Sequence, residues 1–147
     1  MRTLWQPETR KEILARLARL TPAGTPQWGT MTAPAMLAHL ADTTRMGIGD
    51  LPVAPRRLPL RYFPLKQLFA FWLPIPRNVP TMPELRSRQP GAWEDEMATV
   101  RALLEHFAQL DPAAAWPAHP AFGPLTGRQW GRLGYRHFDH HLRQFGV

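Results

Sequence analysis

The sequence predicts an all-α protein, a four-helix bundle with a long proline-rich crossover between its second and third helices. Four segments place apolar residues three and four positions apart, the spacing that keeps side chains on one face of a helix. Strand-like alternation of apolar and polar residues is absent from the sequence. Nine of the 17 prolines lie between residues 51 and 90, too densely for a long regular helix. With 147 residues, the chain is most simply one helical domain spanning residues 1–147.

The first helix is expected over residues 7–20 and the second over residues 32–47. A proline falls in the first turn of each, at Pro7 and Pro34, where the missing N–H has no helical partner to lose. In the second helix, His39 falls inside the apolar arc, and Thr43 lies beside it one turn further on. Asp42 is expected on the opposite, outer face. The second helix therefore directs one histidine towards the interior.

The crossover carries most of the positive charge and many of the aromatic residues. The formal net charge is +7, and residues 56–88 alone contain seven basic residues against one acidic residue. A short helix is expected over residues 64–73, where apolar residues repeat at helical spacing. We favour packing of these aromatic residues against the body of the domain. They also suit a dimer or membrane-surface patch, or a lid over a site. Residues 74–83 are expected to form an extended strap.

The third long helix is expected over residues 92–110, with three acidic residues in its first turn. Glu94 and Asp95 project outwards, whereas Glu96 falls within the inward arc. Glu96 has two interpretations, a carboxylate that suits the helix dipole at the rim, or an inward carboxylate close to a metal. His106 lies on the outer side of this helix.

The last helix begins at Thr126, which forms a capping box with Gln129. Its apolar arc contains two histidines, His137 and His141, whose spacing of four residues lets both imidazoles bind one metal ion. The alternative is a pair of core histidines satisfied by hydrogen bonds. The chain has no cysteine, so any metal must be held by histidine and carboxylate groups.

These residues carry a resemblance to the DinB-like (damage-inducible) superfamily of metal-binding four-helix bundles. The motifs are Met36-Leu-Ala-His39 and His137-Phe-Asp-His-His141-Leu-Arg-Gln144. Three further motifs resemble an uncharacterised bacterial branch of it: Trp28-Gly-x-Met, Asn78-Val-Pro-Thr-Met-Pro, and His119-Pro-x-Phe-Gly-Pro-Leu-Thr followed by Trp130. The resemblance implies that His39, His137 and His141 bind a divalent transition metal, which we expect to be Ni, Zn or Mn.

The resemblance also implies a function, since the superfamily includes thiol-dependent S-transferases and an isomerase. We expect a metal-dependent thiol S-transferase or hydrolase that acts on a small-molecule electrophile, with a low-molecular-weight thiol as the second substrate of the transferase. Glu96 is the candidate catalytic base near the metal. The alternative is a non-catalytic interaction module that uses the basic aromatic segment, residues 56–88. We expect a homodimer and no binding to nucleic acid or membrane. No signal peptide or membrane span is recognisable, which predicts a cytoplasmic protein.

Overall fold

The computed structural model of the chain describes residues 1–79, 82–85 and 88–147. Pro80 and Thr81 of the predicted strap, and Arg86 of the basic aromatic segment, lie outside the described residues. The described residues are all-helical and contain five α-helices. An isolated bridge joins His119 to Gly123, and no strand occurs in this part of the chain. The predicted fold class is confirmed as all-α, but the helix count is five, not four.

The first two helices are α1, Pro7–Leu17, and α2, Ala33–Ile48. Helix α1 is shorter than predicted because its last turn tightens, and Leu20 N–H bonds the Leu17 carbonyl three residues back. Thr32 caps α2, where its hydroxyl oxygen accepts a hydrogen bond from Ala35 N–H at 3.3 Å. Gly49 ends α2 with φ +96°, a left-handed conformation that glycine adopts without strain.

The two long helices of the second half are α4, Trp93–Gln109, and α5, Gly127–Gln144. Both halves of the predicted capping box of α5 are present, since Thr126 Oγ1 accepts from Gln129 N–H and Gln129 Oε1 accepts from Thr126 N–H. Leu125 and Trp130, on either side of the cap, are both buried. The start of the helix that carries two of the candidate metal ligands is therefore fixed by its own sequence.

The crossover contains short helical pieces. They are a 3₁₀ turn at Pro59–Arg61, helix α3 at Leu65–Gln67, a π-helical turn at Leu68–Trp72 that continues α3, and a 3₁₀ turn at Pro83–Leu85. Helix α3 with its π-helical continuation is the short helix predicted over residues 64–73, and it makes the fifth α-helix. Arg136 of α5 donates from one guanidinium nitrogen to the Phe71 carbonyl at 2.9 Å and from the other to the Leu73 carbonyl. These bonds satisfy carbonyls at the end of the turn and hold the crossover against α5.

The apolar core lies among the four longer helices. Helix α2 contacts both α4 and α5, and α1 contacts the same two helices. The fully buried side chains that fill this space include Ile13 and Leu17 of α1, Met36, Leu37 and Leu40 of α2, Leu104 of α4 and Leu142 of α5. A second cluster under the crossover contains Phe71, Leu85 and Trp130. The polar residues described next lie on helix faces that otherwise belong to this core.

Within the described part of the chain, no helix combines the length and the apolar character needed to cross a bilayer.

Candidate metal centre

Three imidazoles meet between α2 and α5. His39 comes from the middle of α2, and His137 and His141 come from successive turns of α5. His137 Nε2 lies 3.1 Å from His39 Nε2 and 3.1 Å from His141 Nε2. Each ring offers one nitrogen, and the three nitrogens lie within 4.8 Å of one another. Helical periodicity predicted that these three histidines point inwards, and in the structure they meet in a single cluster, which we call the histidine cluster.

Each ring of the histidine cluster has a second nitrogen, Nδ1, that contacts an oxygen outside the cluster. His39 Nδ1 lies 3.3 Å from the carbonyl oxygen of Leu85, which the crossover supplies. His141 Nδ1 lies 2.9 Å from Gln144 Oε1, and His137 Nδ1 lies 3.4 Å from Thr43 Oγ1.

These oxygens determine which nitrogen of each ring carries the proton. The Leu85 carbonyl and the Gln144 amide oxygen accept hydrogen bonds only, so His39 and His141 donate from Nδ1. The Thr43 hydroxyl donates to the His39 carbonyl at 2.9 Å, and its oxygen lies 3.4 Å from His137 Nδ1, so it can accept from that nitrogen. A neutral imidazole has one N–H, so with His137 also protonated at Nδ1 all three Nε2 atoms present lone pairs to one another.

The pKa values of His137 and His141 also favour neutral rings. Burial lowers the pKa of His137 well below its usual range, and the neighbouring His141 and His39 lower it further. Burial lowers the pKa of His141 to about 3, with a smaller contribution from His39, while the hydrogen bond to Gln144 opposes the change. Neutral imidazole is the form that binds metal ions.

The loop before α2 forms one wall of this site. The Trp28 carbonyl accepts a hydrogen bond from Gln144 Nε2 at 2.8 Å, so the side chain that orients His141 also holds this loop. Gly29 follows with φ +79°, and a Cβ atom there would lie 2.9 Å from Gln144 Nε2. A glycine is therefore required at this position for both conformational and steric reasons.

The Trp28 ring extends the site outwards. Its centroid lies 5.7 Å from that of His140, whose ring lies 5.2 Å from that of His141. On the Trp28 ring, the Arg77 guanidinium carbon lies 4.4 Å from the centroid. Burial lowers the pKa of His140, Asp139 opposes this change, and Arg77 adds to it. His140 therefore lies between the histidine cluster and the exposed Arg77.

His119 has a structural role in the loop before α5. Its Nδ1 accepts hydrogen bonds from Ala121 N–H at 3.1 Å and Phe122 N–H at 3.2 Å, and its ring packs on Trp130. Burial lowers the pKa of His119 to about 4, so the acceptor nitrogen stays unprotonated at neutral pH. These bonds close the turn that leads into α5.

A second polar group, which we call the ionic cluster, consists of the buried Asp42 and Glu96 and the exposed Arg88, and it joins α2 to α4. Arg88 donates from Nε to Asp42 Oδ2 at 3.2 Å, and from both terminal nitrogens to Glu96, one of them at 2.9 Å to Oε2. Glu96 also accepts from Gly91 N–H at 2.8 Å. The hydrogen bonds from Arg88 lower the pKa of Glu96 below its usual range, and the Gly91 bond adds to this while burial opposes it.

Two predictions from the sequence concern residues of the ionic cluster, Asp42 and Glu96. Asp42 was expected on the outer face of α2, but it is buried because Arg88 from the crossover covers it. Glu96 is buried, as its inward position predicted, and its carboxylate is engaged by Arg88 and Gly91. Outside this cluster, Asp139 of α5 pairs with Arg143 at 3.0 Å and with Arg16 of α1 at 2.8 Å.

Two surface hollows lie elsewhere on the molecule. One is lined by residues 112–114, 124–126, 128 and 129, and the other by residues 57–59, 61 and 62. Neither is lined by His39, His137 or His141.

Comparison with known proteins gives one family. Residues 6–146 match the family described as "Protein of unknown function (DUF1569)". Searches of curated proteins and of solved structures gave no match. The matched family does not name the DinB-like superfamily, so that resemblance stays a prediction.

Proposed function

We propose that this chain, which belongs to the DUF1569 family, holds one divalent transition metal ion through His39, His137 and His141. The observation that carries this proposal is the convergence of three imidazole nitrogens, which lie within 4.8 Å of one another between α2 and α5. In the tautomers that bind metal through Nε2, lone pairs 3.1 Å apart repel one another, and burial of the cluster reduces screening by water. A cation between the three nitrogens turns this repulsion into three favourable bonds.

The donor set fits a transition metal. Two imidazole nitrogens that each lie ~2.1 Å from one metal ion are roughly 3.0–3.4 Å apart at tetrahedral or octahedral angles. Two of the three nitrogen pairs, His39 with His137 and His137 with His141, are 3.1 Å apart and lie within this range, and all three nitrogens lie within 4.8 Å of one another. Imidazole ligands suit Ni and Zn, and Mn is the third candidate, whereas Mg and Ca prefer oxygen. Oxygen atoms of Leu85, Thr43 and Gln144 fix the ring orientations, as hydrogen-bond acceptors around metal-bound histidines do.

The finer proposal is enzymatic, a thiol S-transferase or hydrolase that acts on a small electrophile. Three protein ligands leave coordination positions open, which is typical of catalytic rather than structural sites. When bound, such a metal would act as a Lewis acid that lowers the pKa of a thiol or water, or polarises a carbonyl group. The rings of the histidine cluster would orient the reacting group, and the Trp28 wall would limit access of water.

Glu96 enters this proposal as a positioning residue. Its lowered pKa makes it a weak base, and its oxygens are already bonded to Arg88 and to Gly91 N–H. Through Arg88 it is linked to Asp42, which lies one turn from His39 on α2. We expect Glu96 to fix the position of α2, and so the direction of the His39 ring.

The test of metal binding is elemental analysis of protein purified without added metal and then loaded with Ni, Zn or Mn. We expect about one ion per chain in the wild type and a large loss in His137→Ala. His106→Ala is the matched control, because His106 is exposed on α4 away from the cluster. Equal metal content in His137→Ala and wild type would contradict the assignment.

The enzymatic part is tested separately, by screening metal-loaded protein with small thiols against electrophiles and with esters alone. Turnover that is lost both in His137→Ala and on chelation would support it. Stoichiometric metal binding without turnover of any thiol or ester would leave a metal-binding protein and reject the catalytic proposal.

A second candidate role, as an interaction module, is favoured by exposed aromatic side chains on the basic aromatic segment. Phe63, Trp72 and Tyr62 are 81%, 68% and 67% exposed, whereas Phe71 is buried. Several cations of the segment are engaged within the chain. Arg56 pairs with Glu84, Lys66 donates to the Pro124 carbonyl, and Arg88 belongs to the ionic cluster. The free face is therefore more apolar than basic, which favours a second copy of the chain over nucleic acid.

We accordingly propose a homodimer and no binding to nucleic acid at physiological salt. Light scattering is expected to give a dimer that Trp72→Glu dissociates, because a charge would be buried at the interface. His106→Glu, at an exposed position of α4, is the control. A monomeric wild type at micromolar concentration would reject the dimer, and a mobility shift with DNA at physiological salt would favour the alternative.

A further inference from the structure

Arg77 has no carboxylate partner among the described residues, whereas Arg56 and Arg88 of the same crossover each pair with a carboxylate. Its side chain is exposed, and the guanidinium carbon lies 4.4 Å from the centre of the Trp28 ring. Stacking on an aromatic ring restrains a guanidinium but leaves its N–H groups free at the edges. Arg77 is thus a restrained cation with unused hydrogen-bond donors.

The position of Arg77 is tied to the histidine cluster through Trp28. Gln144 donates to the Trp28 carbonyl and accepts from His141 Nδ1, so one side chain fixes both the ligand ring and the tryptophan. Asn78, the residue after Arg77, packs over Gly29, with its Oδ1 3.4 Å from where a Cβ atom on that glycine would lie. The Arg77 loop and the Trp28 loop therefore meet beside His140, at the outer edge of the cluster.

Trp28 supplies another unused donor. Its indole Nε1 is buried and has no hydrogen-bond partner among the described residues. A buried N–H without a partner is unfavourable, and an acceptor that reached it would relieve this penalty. A guanidinium without a carboxylate partner and an indole N–H without a partner thus occur on one stacked pair of side chains.

We propose that Arg77, held on Trp28, binds the carboxylate of the small molecule that reaches the histidine cluster. A guanidinium binds a planar carboxylate through two parallel N–H···O bonds. A single guanidinium beside neutral imidazoles matches one negative charge better than the two charges of a phosphate group. The inference rests on the proposed metal site, and it assigns carboxylate-bearing electrophiles or thiols as the substrate class.

The test uses two thiol probes of the same size, 3-mercaptopropionate and its neutral amide, with protein loaded with Co²⁺. A thiolate that binds Co²⁺ changes its visible absorption, so both affinities can be measured by titration without turnover. We expect the wild type to favour the carboxylate probe, and Arg77→Ala to reduce the ratio of the two affinities about tenfold. The ratio between proteins cancels the intrinsic difference between the two thiols.

Arg57→Ala is the matched control, since Arg57 is also exposed on the crossover but lines a hollow away from the histidines. It should keep the wild-type ratio, and Arg77→Lys should lie between wild type and alanine because it keeps the charge without the planar fork. An unchanged ratio in Arg77→Ala, with Co²⁺ still bound, would overturn the role of Arg77 alone. A wild type that binds no Co²⁺ would overturn the metal site and this inference together.

Discussion

The two polar clusters that include residues of α2 differ in whether the polar groups of each cluster find complementary partners within it. In the ionic cluster, Arg88 bonds both carboxylates, and Arg45 adds a further bond to Asp42 at 2.9 Å. In the histidine cluster, every outer nitrogen has an oxygen partner, whereas the three inner nitrogens lie within 4.8 Å of one another. A polar cluster whose charges are internally balanced can serve the fold alone. One that brings three imidazole nitrogens together could hold a metal ion.

The largest effect is expected from removing the balancing charge of the ionic cluster. Arg88→Ala leaves two buried carboxylates without their shared partner, and we expect a loss of about 3 kcal/mol in the free energy of unfolding. This is at the low end for a broken buried pair because the Arg88 side chain is 36% exposed. Urea unfolding in the presence of chelator measures the loss, with Arg57→Ala as control. A change below about 0.5 kcal/mol would show that the cluster contributes little to stability.

The histidine cluster should respond to metal instead. At a free metal concentration one hundred times Kd, the free energy of unfolding should rise by about 2.7 kcal/mol. His141→Ala should lose most of this increment, whereas Arg88→Ala should lower the baseline and keep most of the increment, because all three ligands remain and only the orientation of His39 is affected. Thermal or urea unfolding with and without metal separates the two effects. A metal increment of the same size in His141→Ala would contradict the ligand assignment.

A smaller effect is expected from the residue that orients a ligand. Gln144→Leu keeps the side-chain volume but removes the acceptor of His141 Nδ1 and the donor to the Trp28 carbonyl. Metal affinity should fall about 10–100-fold. Competition with a coloured chelator measures it, and Gln109→Leu at the exposed end of α4 is the control. Unchanged affinity would show that the ring is held by packing alone.

The smallest effect that we expect is a change in the free energy of unfolding at low pH. The folded-state pKa of Glu96 is lowered, so its stabilising contribution is present above its unfolded pKa of ~4.3 and is lost as pH falls through the folded value. Buried His137 and His141 have lowered pKa values and also weaken the metal-free fold in acid. Both wild type and Glu96→Gln contain these histidines, so the difference in their free energies of unfolding is free of the histidine contribution. It should shrink below about pH 4, and a difference independent of pH would contradict the role of the charge.

The clusters also differ in how far the sequence predicts them. His39, His137 and His141 lie on long helices, where the position along the chain determines the face, and all three were expected to point inwards. Thr43 was placed beside His39 by the same rule. Asp42 was expected at the surface because the helix period cannot show that Arg88, from an irregular segment, covers it.

The other differences between the sequence predictions and the structure arise in irregular segments and at helix ends. The acceptor for His39 is a backbone carbonyl of the crossover, and neither its position nor that of Trp28 follows from any period in the sequence. The capping box marked the start of α5 because its signal is local. The end of α1 was placed three residues late because a tightened last turn still buries Leu20. Periodicity thus locates ligands on helices, and tertiary contacts of loops decide how those ligands are held.

The central claim is that three Nε2 lone pairs converge on one metal ion. X-ray absorption spectroscopy of the Zn- or Ni-loaded protein tests it most directly, because multiple scattering from imidazole rings reports how many histidines bind the ion. The account predicts about three imidazole nitrogens at ~2.1 Å in the wild type and two or fewer in His39→Ala. A wild-type spectrum with one imidazole or none, or one unchanged by His39→Ala, would contradict it.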